Sequence, residues 1–193
     1  QLRNWNINFV QGDILDKDLI QRYCKKADII HHLAGITKVP RVKSESNDQT
    51  DKEIKLIAEQ GTQNILDVMS DDCKIIMPST HVVYEGINQI KKDISEDEAT
   101  SPILSYAKSK DHNEKQLKRS GKNYVILRLG SVYGYSTDTM RIDIMPNLFS
   151  KIASQNGVLK LFSGGKQIKS LVPLIDVARC FKFVEEKKNI IPK

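Results

Sequence analysis

The chain has 193 residues, 39% hydrophobic and 28% charged, with a formal charge of +6, which fits one globular domain with a sizeable core. Its charges are mixed in sign, as in Glu185-Glu186-Lys187-Lys188, and read as a solvated face. With no nucleic-acid motif or aromatic platform beside them, they argue against a nucleic-acid partner.

No apolar run approaches the roughly 18–20 residues of a membrane span, and no signal-peptide pattern opens the chain. Cys24, Cys73 and Cys180 lie far apart with no disulfide or metal spacing. The expectation is a cytoplasmic protein in a reducing setting.

In chain order, "INFV" (7–10) predicts a buried strand running into "QGDILD" (11–16). An aspartate just past a strand's carboxyl end either caps the next helix or faces the ligand crevice of an open parallel sheet. "DKDLIQRYCKK" (16–26) predicts a helix and "ADIIHHLAG" (27–35) a second strand. Ala34 and Gly35 leave room for a ligand against the backbone, and equally for a tight turn. His31 and His32 are adjacent on that strand and so point to opposite faces. Without a third ligand nearby they predict no metal site.

"DKEIKLIAEQGTQNILDVM" (51–69) carries Ile54, Ile57, Ala58, Ile65, Leu66 and Met69 at helical spacing. "KIIMPS" (74–79) predicts a third strand, after which the hydroxyls of Ser79 and Thr80 serve either loop backbone groups or a substrate oxygen. "ILSYAKSKDHNEKQLKRS" (103–120) predicts a helix with Tyr106 and Lys110 on one face. A free tyrosine titrates near about 10, too high for acid–base work at neutrality, but a neighbouring ammonium favours the phenolate. The same spacing also occurs on ordinary surface helices. "YVILRLG" (124–130) predicts another strand, and "SGGK" (163–166) a turn. This alternation predicts an α/β fold whose parallel sheet is covered on both faces.

Seven segments in this order resemble the extended short-chain dehydrogenase/reductases, the NAD-dependent epimerase/dehydratase group. "GDILD" resembles the adenine-contacting segment, "HHLAG" the "HLAA" strand end, and "GTQNIL" (61–66) the "GTxNLL" helix. "PSTHVVYEG" (78–86) is similar to "SSxxVYG", "YAKSK" (106–110) to YxxxK, and "LRLGSVYG" (127–134) to "LRxxNVYG". "GGKQIKSLVPLIDVA" (164–178) resembles "GxGxxxRDFxHVxDVA". The resemblance implies a Rossmann-type doubly wound parallel sheet, incomplete at the N-terminus, with residues 1–134 as the cofactor-binding core. Residues 135–193 would begin a substrate region and return elements to the core.

It also implies roles. Tyr106 would be the general acid/base, Lys110 would tune it and hold the nicotinamide ribose, and Thr80 would supply the catalytic hydroxyl with Ser79 beside it. Asp13 and Ile14 would contact adenine, and Leu33, Ala34 and Gly35 would line the cofactor, which is NAD or, in its place, NADP. Ser131 and Val132 would meet cofactor and substrate, and His81 would touch a nucleotide-sugar substrate. A homodimer is compatible with the resemblance.

Departures accompany it. No GxxGxxG loop or acidic ribose-binding strand end occurs in these residues, so an opening strand–helix–strand unit of roughly 30 or more residues is expected either outside this sequence or lost. Ala58 replaces an asparagine, Glu85 interrupts "VYG", and Pro173 replaces a histidine. The family's dehydratases carry a Thr-Asp-Glu run where this chain has Thr80-His81-Val82. The resemblance therefore implies an epimerase working through a keto-sugar. The alternatives are a reductase or dehydrogenase of the same family, or a non-catalytic nucleotide-binding module.

Overall fold

A computed structural model describes residues 6–36, 48–89, 91–136 and 140–187. Strands β1 (Ile29–His31), β2 (Lys74–Thr80) and β3 (Asn123–Leu129) form a parallel sheet in the order β1-β2-β3. The register sets Ile30 beside Ile75 and Thr80 beside Leu129. A second parallel pair joins β4 (Ser131–Tyr133) to β5 (Leu171–Pro173). The helices are α1 (Lys17–Cys24), α2 (Asp48–Val68), α3 (Ser105–Arg119), α4 (Met145–Ser154) and α5 (Leu174–Glu186).

The apolar run of β2 decides the layers. Successive strand side chains point to opposite faces, so Ile75 and Met77 enter one cluster with Ile65, Leu66 and Met69 of α2 and Leu117 of α3. Ile76 enters the other, with Val125 of β3 and Val184, Cys180 and Phe181 of α5. Ile75, Ile76 and Met77 are fully buried, each stabilising the fold by about 1.5–3 kcal/mol. Hence α1, α2 and α3 cover one face and α5 the other, and the doubly wound arrangement expected from the sequence is present.

Local chemistry marks the helix ends. The Asp16 carboxylate accepts from Leu19 N (3.0 Å) and caps α1. After α3, Gly121 takes φ +71°, a left-handed turn that glycine makes without steric cost. The "SGGK" segment does form a turn, a single 3-10 turn over Phe162–Gly165.

The expected strand at residues 7–10 is not one. Ile7, Phe9 and Val10 are exposed, Phe9 to 65%. A strand needs a neighbour to complete its hydrogen bonds, and none pairs with this segment among the described residues. The second expected strand shortens to Ile29–His31, with one further ladder bond from His32 N to Ile76 O (2.9 Å).

Lys74 joins α5 to the sheet. Although it is a lysine in the buried central strand, its ammonium donates to the carbonyls of Val184 (2.6 Å), Glu185 (2.9 Å) and Lys187 (2.7 Å). These are orphan acceptors at the negative end of a helix dipole. Lys74→Met is expected to lower unfolding free energy by about 1–3 kcal/mol, read from urea denaturation, with the far-ultraviolet dichroism unchanged.

Candidate active site

The carboxyl ends of parallel strands open onto a crevice because the connections leave the sheet there. In this protein a cavity of about 440 Å³ occupies that edge. Leu33 enters it after β1, Ser79, Thr80 and His81 from the end of β2, Tyr106 and Lys110 from α3, and Ser131 and Val132 from β4. Residues from four places in the sequence thus meet at one wall.

The other predicted positions lie apart from that wall. Ala34 and Gly35 are exposed just beyond Leu33, and a Cβ at Gly35 would meet no atom within 4 Å, so the backbone there is open to a ligand. Asp13 folds its carboxylate onto Leu15 N (2.9 Å). Ile14 sits against α2, where a Cβ at Gly61 would come within 2.8 Å of its side chain. The glycine of the "GTQNIL" segment is therefore what lets residues 13–15 approach α2.

Thr80 Oγ1 accepts from Val82 N (3.3 Å) and opens a 3-10 turn over His81–Tyr84. Accepting that bond leaves its own hydroxyl proton available for another partner. Ser79 differs: its hydroxyl donates to Glu114 Oε1 at 2.5 Å. The Glu114 side chain is only 2% exposed and is gripped by Arg128 through Nε (3.0 and 3.1 Å) and Nη2 (2.6 Å). Arg128 Nη1 in turn donates to the Tyr84 hydroxyl and to Glu96 O (2.9 Å). His81 Nδ1 donates to Leu129 O (3.1 Å), tying β2 to β3 at the cavity floor.

The electrostatics correct one expectation. Lys110 was expected to draw the Tyr106 phenol downward, but burial pushes it above its ordinary value, with the Arg141 guanidinium opposing. The Lys110 ammonium donates to Pro78 O (3.0 Å), and burial lowers its own pKa. Desolvation penalises both charged forms, and the cation that opposes it at Tyr106 is Arg141, not the Lys110 that helical spacing suggested.

Sequence reasoning missed part of the wall. Arg141, Ile144, Met145, Pro146, Lys169 and Leu171 close the cavity from the C-terminal part of the chain. Lys169 falls at the arginine position of the "GxGxxxRDF" resemblance, which was a usable signal. Arg141 carried none, because no periodicity or spacing links it to Tyr106.

Behind the wall the two adjacent histidines separate as strand alternation requires. His31 stacks on Phe181 of α5 (5.5 Å between centroids) and reaches Glu185 (3.5 Å). His32, only 3% exposed, meets Thr62 Oγ1 of α2 through Nε2 (2.9 Å). With the Asn113 amide oriented so that its nitrogen donates to Ser109 O and Ala58 O, its oxygen accepts from Thr62 (3.0 Å). The Thr62 proton is then committed to Asn113, so His32 Nε2 must be the donor and Nδ1 the bare acceptor. That buried Nδ1 has no hydrogen-bond partner.

The family model described as the NAD dependent epimerase/dehydratase family matches residues 1–193. A Tyr-to-Phe variant of Bacillus cereus UDP-glucuronic acid 4-epimerase, solved with UDP-4-deoxy-4-fluoro-glucuronic acid and NAD, is 26% identical. It superposes with TM-score 0.79 over 99% of this chain and 60% of that one. Thermotoga maritima UDP-glucose 4-epimerase with UDP-glucose has the same fold, at TM-score 0.79 and 21% identity over 97% of this chain and 62% of that one. A dTDP-D-glucose 4,6-dehydratase of Dictyostelium discoideum is 25% identical over 98% of this chain and 46% of its own length. The chain spans less than two thirds of each of these relatives.

His32 predicts an acid dependence. Burial, with Lys110 nearby, lowers its pKa from 6.5 to about 4. Between those values the unfolded chain binds a proton that the folded protein refuses, so stability falls as pH drops through this window and levels off below about 4. At about 1.36 kcal/mol per pH unit the loss totals roughly 3 kcal/mol. Chemical denaturation of wild type and His32→Gln between pH 7 and 4 should give curves that converge by that amount as the pH falls.

Proposed function

The chain belongs to the NAD dependent epimerase/dehydratase family, and from that premise we propose that its protein interconverts epimers of a nucleotide sugar through a keto-sugar intermediate. The observation that carries this choice within the family is the make-up of the cavity wall. Among the described residues it contains a tyrosine, a threonine and three cations, Lys110, Arg141 and Lys169, but no aspartate or glutamate.

Epimerisation through a ketone needs one proton taken from a hydroxyl and later given back to the same oxygen. A single group suffices for both. Dehydration needs further acid and base groups at neighbouring carbons, and the place where family dehydratases carry an aspartate and a glutamate holds His81 and Val82. His81 alone cannot serve two carbons, and its Nδ1 is already bonded to Leu129 O.

The residues fit a dinucleotide. Leu33, 63% exposed, and Lys110 line the crevice, and the open backbone at Gly35 follows Leu33 two residues on. Leu33, Ala34, Gly35 and Lys110 would hold NAD, with Asp13 and Ile14 toward its adenine end. When bound, NAD supplies the hydride acceptor and donor for the carbon bearing the reacting hydroxyl.

The chain's own residues do the rest. Tyr106 Oη accepts the hydroxyl proton, and Thr80 Oγ1, whose proton is available, donates to the same sugar oxygen and holds it. The form that takes the proton is the phenolate, which burial disfavours and the Arg141 guanidinium favours. Lys110 and Lys169 on the same wall act in Arg141's direction, raising the share of phenolate ready to accept the hydroxyl proton. Tyr106 then returns the proton when the carbon is reduced from its opposite face.

Tyr106→Phe in the full-length protein is expected to lower kcat by roughly 10²–10⁴ while NAD affinity, read by protein fluorescence, stays within about twofold; kcat within tenfold of wild type would reject the assignment. Full-length protein incubated with UDP-, dTDP- and GDP-sugars is expected to yield an isobaric product with one inverted centre by mass spectrometry and NMR. A product lighter by one water would show a dehydratase, and a product heavier by two hydrogens at the expense of NADPH a reductase.

A further inference from the structure

Glu85 is the residue that interrupts the expected "VYG" segment, standing between Tyr84 and Gly86. Its carboxylate Oε1 accepts from two successive backbone amides, Ile103 N at 2.7 Å and Leu104 N at 2.6 Å. Those amides are the last two before α3 begins at Ser105, and Tyr106 is the second residue of that helix.

No side chain of α3 itself caps its start. Leu104 occupies the cap position and makes no side-chain cap bond, and no acidic residue lies in the first turn. Helix starts ordinarily draw a side-chain oxygen or a carboxylate for their free amides. Here a residue from a distant turn provides it.

That turn is the one opened by Thr80. It runs over His81–Tyr84, and Glu85 closes it through Glu85 N to Val82 O (3.1 Å). The turn is itself anchored by the fully buried Val83 and by the bond from Arg128 to the Tyr84 hydroxyl. Two backbone bonds, Gly86 N to Ser101 O and Ser101 N to Val83 O (both 2.8 Å), lay the segment before α3 along it. The approach is so close that a Cβ at Gly86 would stand 2.5 Å from Ser101 O. A short rigid path therefore leads from Thr80 through the turn to Glu85, across its carboxylate to Leu104, and on to Tyr106.

We propose that Glu85 is a positioning residue for the reaction, fixing the start of α3 to the Thr80 turn and so setting the separation of the Tyr106 phenol from the Thr80 hydroxyl. The proposal rests on the acid–base role given to Tyr106 above. Glu85 does not line the cavity and touches no reacting atom; it acts through the helix start. Both groups must reach one sugar oxygen, and displacements near 1 Å cost up to about 10²-fold in rate.

The test uses the full-length protein with Glu85→Ala, Glu85→Asp and Glu85→Gln. Alanine removes the acceptor, aspartate keeps the charge but is one methylene too short to reach both amides, and glutamine keeps an oxygen at the same reach. The expected result is kcat lowered tenfold or more in the Ala and Asp variants, with KM and NAD affinity within about twofold, and recovery to within about fivefold of wild type by Gln. A second readout needs no substrate: the Tyr106 Cζ resonance in ¹³C-tyrosine-labelled protein, assigned by its loss in Tyr106→Phe. It should move in Ala and Asp and return in Gln.

If wild type turns over no sugar nucleotide, the epimerase reading fails while the resonance still decides this one. If the Ala variant does not fold, the Asp variant decides. A kcat within twofold of wild type in the shortened variants, an unmoved resonance, or a Gln variant as impaired as Ala would overturn the proposal.

Discussion

A carboxylate with no water around it must be neutralised where it stands, and the buried Glu114 is such a group. Removing one partner from a buried pair leaves an uncompensated charge worth roughly 3–5 kcal/mol, so β3 cannot move away from α3 without pulling Arg128 off Glu114 at that cost. Ser79 adds β2 to the same carboxylate, and Arg128 extends the network to Tyr84. Three elements that carry the site are thereby indexed to one atom group. Hydrophobic clusters on either face hold the layers together, but non-directional burial does not by itself set how far α3 slides along the sheet. The directional bonds of Glu114 do.

The catalytic assignment gains from what this network takes away. Ser79 and Thr80 are adjacent hydroxyls at the same strand end, but only Ser79 is held by the carboxylate, so Thr80 is the one with a proton free for a ligand. Lys110 and Glu114 lie one helical turn apart on α3, the first turned to Pro78 O at the cavity and the second to the interior. One helix thus presents the groups proposed as catalytic and its anchor to the same strand, β2.

The motif segments also find physical reasons within the molecule. Gly61 admits Ile14, Thr62 bonds His32, and Asn64 donates to Ile14 O (3.0 Å). Three positions of the "GTQNIL" run therefore hold the two loops assigned to a dinucleotide. In structure the run is the scaffold on which those loops rest.

The sequence alone determined the central elements and their order, because hydrophobic periodicity is a property of local residues: β2, β3, α2 and α3 fall where their apolar spacing placed them, while β4, α4, β5 and α5 went unread. Through the resemblance, in which those residues stand at fixed offsets from recognisable strand ends, it also singled out Tyr106, Lys110 and Thr80, which the fold brings to one cavity wall. It misread Ile7–Val10 as a strand, since a strand's formation depends on a neighbour that no local pattern specifies. Only the tertiary structure decided that burial pushes the Tyr106 phenol up with Arg141, rather than Lys110, opposing. It alone placed Arg141 and Lys169 on the same wall, and gave the intrusive Glu85 the start of α3 as its partner. Each of these is set by distance and burial between residues far apart in the chain, and such quantities exist only once the chain has folded.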